Sequence, residues 1–140
     1  MTHRCTTLLL HCIDFRFGKA IEKFLEKNRL SGSCDIVAAA GAAKNLAAPQ
    51  KKTDKEFILR QIEISKKLHE IKKVILMNHA DCGAYGGRKA FQSDKEEFER
   101  HAGDMREAKA ILMAHHPSIM VETVFAKISH SGGIRFEETK

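Results

Sequence analysis

The chain has 140 residues, 43% of them hydrophobic and 30% charged, which suits one globular domain with a single buried core. No apolar run approaches the roughly 20 residues of a membrane span, and no small-residue cleavage site follows Leu8-Leu9-Leu10, so the expected location is the cytoplasm with no membrane partner. The net charge of +6 rests on lysines interleaved with glutamates, the pattern of solvated helix faces; without an aromatic-plus-basic module, nucleic acid is not the expected partner.

Residues 6–11 form a short apolar, partly β-branched run that predicts a buried strand. A helical stripe follows over residues 19–28 (Ala20, Ile21, Phe24, Leu25), with Gly32 beyond its end, and residues 35–39 predict a second strand. Residues 42–52 carry the least pattern and predict a loop over the site. Thr53 and Glu56 have capping-box spacing ahead of a helix whose apolar face includes Phe57, Ile58, Ile62 and Leu68. Residues 74–78 are nearly all apolar, as in a strand covered on both faces. Ser93 and Glu96 repeat the capping spacing before a long helix lined by Phe98, Ala102, Met105, Ala108 and Leu112 and closed by Pro117. Residues 120–128 and 134–137 predict two last strands around Ser131-Gly132-Gly133. Strands alternating with helices predict an α/β fold on a mainly parallel sheet, with helices on both faces and a short extra C-terminal strand.

Four cysteines without an export signal argue for reduced thiols rather than a disulfide framework. Cys12 follows the first strand, in Cys12-Ile13-Asp14-Phe15-Arg16; His79 and Cys82 follow the third, in His79-Ala80-Asp81-Cys82-Gly83. Both groups then lie at carboxyl ends of parallel strands, where open α/β sheets place their ligands. If they share one metal ion, the first and third strands must be neighbours, which gives the order 2-1-3-4. Two thiolates and one imidazole suit zinc, and three protein ligands rather than four leave a position for water. Arg16 can grip the Asp14 carboxylate and keep it ionised beside the ion. Two thiolates should acidify a bound water less than three histidines would, so mildly alkaline pH or help from Asp14 and Arg16 is expected.

Taken alone, Cys12 reads as a buried hydrophobe; the pairing of the two motifs lifts it to a ligand. Asp81 reads as a turn-stabilising side chain and Gly83 as permitting a tight turn or a close backbone approach. Cys5 and Cys34 read as packing residues, since no partners for a second metal site are evident. His11 reads as a core histidine and His115-His116 as a surface pair at a helix end; Tyr85 either lines the site mouth or packs.

Cys-x-Asp-x-Arg followed by His-x-x-Cys-Gly resembles the signature of the β-carbonic anhydrases, and both halves are present. The resemblance runs over nearly all of residues 1–140; Ala40-Gly41 looks like the family's Ala-Gly after the second strand, and Arg60 falls where the family often carries an Arg-Ser pair. It implies zinc, one per chain, on Cys12, His79 and Cys82, with a catalytic dyad of Asp14 and Arg16 and backbone support from Gly41 and Gly83. It implies reversible hydration of carbon dioxide to bicarbonate by zinc-bound hydroxide, in a homodimer or higher homo-oligomer. In one subclass the aspartate itself closes onto zinc, a role that falls to Asp14 here. Rival readings keep the fold and zinc but act on carbon disulfide or carbonyl sulfide, or serve as a catalytically weak assembly module.

Overall fold

The computed structural model describes residues 3–140. One five-stranded sheet organises the chain: β1 (Thr7–His11), β2 (Cys34–Ala38), β3 (Lys73–His79), β4 (Met120–Ile128) and β5 (Ile134–Thr139). The order is β2-β1-β3-β4-β5, parallel across the first four strands and antiparallel only between β4 and β5. The winding direction therefore reverses between β1 and β3, and a crevice opens at their carboxyl ends. This is the α/β fold expected, with the last strand added at the edge.

Side chains alternate across the sheet, so successive residues feed two different cores. Leu8 and Leu10 of β1, Val74 and Leu76 of β3 and Phe125 of β4 point toward α3 (Lys52–His69) and α4 (Asp94–His115), meeting Ile58, Ile62, Met105, Ala108 and Leu112. Leu9, Ile75, Met77 and Val124 point the other way, toward Phe17 and α1 (Gly18–Lys27). Strands covered on both sides must be apolar at every position, which is why β1 and β3 carry no polar alternation. Leu76 is fully buried in the central strand. Leu76→Ala is expected to lower the free energy of unfolding by roughly 2–5 kcal/mol, read as a shift in urea midpoint at unchanged slope; no shift would contradict this core assignment.

Four local expectations change. The helix expected after Thr53 starts two residues earlier, because Asp54 accepts a hydrogen bond from the Lys51 backbone N–H at 3.3 Å and Lys51 takes the cap position. Ser93 does cap α4, accepting from the Glu96 N–H, but the Glu96 carboxylate turns to the Gln92 N–H instead of completing the box. Phe57 and Leu68 are exposed, so the apolar face of α3 is wider than the stripe it buries. Residues 42–52 are not an open loop: α2 (Lys44–Ala47) forms within them, and Ala42, Ala43 and Leu46 are buried against α4. A four-residue helix is too short to leave a period in the sequence.

Candidate metal centre

β1 and β3 run side by side with His11 opposite Met77, so the residues leaving their carboxyl ends meet in the crevice. Cys12, His79 and Cys82 are brought together there, all buried, with one potential ligand atom of each within 4.8 Å of the others. The two sulfurs are 3.9 Å apart. That is far too long for a disulfide and close to the ~3.8 Å separation of two thiolates on one tetrahedral ion with ~2.3 Å bonds.

His79 decides the chemistry of the donor set. Its Nδ1 lies 2.7 Å from the Ala80 carbonyl oxygen, which can only accept, so Nδ1 carries the proton. Nε2 then presents a lone pair, buried and without a hydrogen-bond partner among the described residues. An orphaned buried imidazole nitrogen beside two thiols is costly unless an ion takes it. Of the two cysteines, Cys12 is the one held toward the thiolate: the Cys82 thiol donates to it and the Gly41 N–H adds support, against the opposition of burial. The residues present fit a zinc ion.

The loops that carry these ligands are strained into place. Gly41 has φ +81°, and a Cβ there would stand 3.0 Å from the Ala84 Cβ, so only glycine brings this N–H to the Cys12 sulfur at 3.5 Å. Ala42 (φ +46°) and Asp81 (φ +56°) are left-handed without being glycine, a cost that recurs around functional loops. Gly83 makes no such demand: a Cβ at this position would meet nothing within 4 Å, and the positive φ values of this turn fall on Gly86 and Gly87. Gly83 lines the depression above the site.

Asp14 and Arg16 do form a pair. Arg16 Nε and Nη2 reach the Asp14 carboxylate at 3.1 and 2.7 Å, and the Arg16 backbone N–H adds a further bond at 3.0 Å. These hydrogen bonds hold the Asp14 carboxyl below its usual range against partial burial. Arg16 also crosses to the other loop, donating to the Asp81 carboxylate at 3.0 Å and to the Asp81 carbonyl at 2.9 Å. The guanidinium thus ties the Cys12 loop to the His79–Cys82 loop. Asp81 stabilises its turn as expected, accepting from the Arg88 N–H at 2.8 Å, and the Arg16 bond is a second task the sequence did not suggest. Asp14 Oδ2 lies 3.8 Å from His79 Nε2, which sets its carboxylate beside this ligand.

Above this point lies an open depression of about 670 Å³, lined by Ile13, Asp14, Arg16, Ala40, Gly83 and Ala84 among others. Ile13 and Phe15 stand exposed at its rim, Phe15 at 90%.

A family model described as "Putative carbonic anhydrase" matches residues 1–131. The chain belongs to this carbonic anhydrase family. Among curated proteins it is similar to an uncharacterized protein of Rickettsia conorii, 29% identical over 124 residues, covering 86% of this chain and 67% of that one. Among solved structures it is similar to a carbonic anhydrase from Streptococcus mutans (17% identity, TM-score 0.65, covering 100% of this chain and 86% of that chain). It is also similar to tetrameric β-carbonic anhydrases from Sordaria macrospora (16% identity, TM-score 0.66, 98% and 81% covered). The sheet order and the antiparallel edge strand are those of the β-carbonic anhydrase fold.

In this member of the carbonic anhydrase family a buried polar network supports the ligand loops, and apart from Tyr85 none of it stands out in the sequence. Asn78, just before His79, accepts from the Ala43 N–H at 3.1 Å and donates to the Tyr85 hydroxyl at 3.1 Å and to His101 Nδ1 at 2.9 Å. Tyr85 donates on to Asp104 at 2.7 Å, which resolves its role as packing rather than mouth. Glu97, also buried, accepts from the Asp81 N–H at 2.9 Å. His11 is half-buried and bonds the Cys12 carbonyl through Nδ1, while His115 sits exposed at the end of α4.

His101 gives this network a signature in acid. Burial lowers its pKa to about 3, with the charge of Arg100 adding to the effect, and the Asn78 N–H already occupies the nitrogen a second proton would need. Unfolded, the same group titrates near 6.5. Between these values the unfolded state binds more protons, so the contribution of a neutral His101 is complete above about pH 6.5 and is lost progressively as pH falls toward 3. From pH 6.5 to 5 the loss is about 2 kcal/mol. Urea unfolding across this range should therefore be steeper in the wild type than in His101→Gln, where parallel slopes would contradict the neutral assignment.

Proposed function

We propose that the chain is a zinc-dependent carbonic anhydrase, converting carbon dioxide and water reversibly to bicarbonate and a proton. Cys12, His79 and Cys82 would hold one zinc ion at the crevice, with Asp14 and Arg16 beside it. The observation that carries this reading is the buried, unpartnered Nε2 of His79 facing two sulfurs 3.9 Å apart.

Zinc bound there supplies the Lewis acidity that makes water nucleophilic near neutral pH. The chain's own residues do the rest. Two thiolates offset the charge of the ion, and the Ala80 carbonyl fixes the tautomer and direction of His79. Asp14, kept ionised by Arg16, can only accept hydrogen bonds, so it holds the reacting water by one proton and turns an oxygen lone pair outward. Arg16 cannot swing away from this task while Asp81 holds its other edge. Ile13, Ala40 and Ala84 give the depression an apolar lining suited to a small, linear, uncharged molecule.

We propose a homodimer or higher oligomer as the working unit. A phenylalanine and an isoleucine largely in water at the rim of a site are costly, and a second copy would cover them. The Sordaria macrospora enzymes of similar fold are tetrameric. All four cysteines are free thiols, which supports a reducing compartment such as the cytoplasm, and no helix among the described residues is long and apolar enough to cross a membrane.

The test is a substrate comparison on zinc-loaded protein: stopped-flow turnover of carbon dioxide beside carbonyl sulfide and carbon disulfide. Turnover of carbon dioxide in preference to both supports the proposal. Preference for a sulfur-containing substrate would keep the centre and overturn the substrate.

A further inference from the structure

The sheet has a second gathering of metal-ligating side chains at the amino ends of its strands, opposite the first centre. Cys5 precedes β1, Asp35 is the second residue of β2, and His69 ends α3. Their potential ligand atoms all lie within 4.8 Å of one another. Cys5 therefore has the partners that the sequence did not reveal, since they come from segments some thirty residues apart in each step along the chain.

We infer that Cys5, Asp35 and His69 form a second cation site, for a borderline divalent ion such as zinc. One thiolate, one imidazole and one carboxylate are the donor types this class of ion takes from protein. Backbone hydrogen bonds set the three segments in place. The Cys5 N–H donates to the His69 carbonyl at 3.1 Å, and the Lys72 and Lys73 N–H groups both donate to the Thr6 carbonyl. Asp35 is locked in β2, opposite Leu8 of β1. Ser65, one turn before His69 on α3, donates to Asp35 Oδ2 at 2.5 Å and fixes the carboxylate.

His69 Nδ1 shares a proton with the same Asp35 oxygen at 2.6 Å. A cation would take the place of that proton, and the two groups would part toward the ~3.3 Å expected of nitrogen and oxygen ligands on a tetrahedral ion with ~2.0 Å bonds. A simple histidine–aspartate pair would need no thiol, yet Cys5 Sγ is there, bonded only weakly to the Thr7 carbonyl at 3.6 Å. The side chains of Asp35 and His69 are 27% and 29% exposed, so an ion reaches them without unfolding. The His3 ring stands 4.8 Å from that of His69 and offers a further imidazole at the rim. Cys34 is not one of the gathered side chains, and its thiol donates to the Asp35 backbone carbonyl at 3.4 Å.

The experiment is equilibrium dialysis of the metal-free, reduced full chain against zinc chloride, with metal counted per chain. The expected result is two equivalents, the second weaker and the first to be removed by a chelator. Cys5→Ala and Asp35→Asn should each lose the weaker equivalent and keep the tight one, which also reports that the variants are folded. Cys82→Ser should keep the weaker one. A wild type that takes a single equivalent, or a second equivalent that survives in both Cys5→Ala and Asp35→Asn, would overturn the inference. Neither result bears on the first centre, whose loss is read separately in Cys82→Ser.

Discussion

Cys82→Ser and Cys12→Ser are each expected to empty the first centre of zinc. Serine is nearly the size of cysteine, but its hydroxyl stays protonated at neutral pH and cannot serve as an anionic ligand. The remaining thiolate and His79 would be left as only two ligands. Zinc also stabilises what it binds: at free zinc a thousandfold above Kd the linkage amounts to about 4 kcal/mol. Measured in a Cys5→Ala background, so that only the first centre contributes, the parent should show one zinc per chain and a melting temperature that falls on chelation. The serine variants should show almost none, and no response to chelator. Full zinc in both variants would mean that the buried sulfurs are packing residues and that His79 Nε2 is orphaned for another reason.

The second large effect separates binding from chemistry. Asp14→Ala is expected to keep zinc and to lose turnover by about 10²–10³, equivalent to roughly 3–4 kcal/mol of transition-state stabilisation. Asp14 lies 3.8 Å from His79 Nε2 and is not one of the three buried ligands, so its removal leaves the donor set intact. What disappears is the acceptor that orients the reacting water. The loss should fall on kcat, since the interaction removed is with the reacting water. Arg16→Ala should be more damaging to structure as well as rate, because the same guanidinium ties the two ligand loops through Asp81. Full activity in Asp14→Ala at full zinc would contradict the proposed role of the dyad.

The parts legible in sequence were those whose cause is local. β1 and β3 announce themselves because a strand buried on both faces must be apolar throughout, and Cys12, His79 and Cys82 because they follow those strands directly. Requiring one shared ion then fixed which strands are neighbours, and the order β2-β1-β3-β4 follows. The parts not legible depend on partners far away in the chain. Asn78, His101 and Glu97 look like ordinary polar residues on a strand end and a helix, yet each is buried and hydrogen-bonded to a different segment of the chain. The low amphipathic contrast of α4 has the same origin, since Glu97, His101 and Asp104 sit on its buried side. Gly83 reads in sequence as a place for backbone freedom, yet its Cβ position faces open space; Cys5 reads as packing, yet Asp35 and His69 stand beside it.

The most direct measurement is the rate of carbon dioxide hydration, by stopped flow, as zinc is titrated into metal-free wild-type protein. Hydration should rise with occupancy of the Cys12–His79–Cys82 centre and level off when that centre is full, well above the buffer rate. A full centre with no hydration above buffer would contradict the proposed activity.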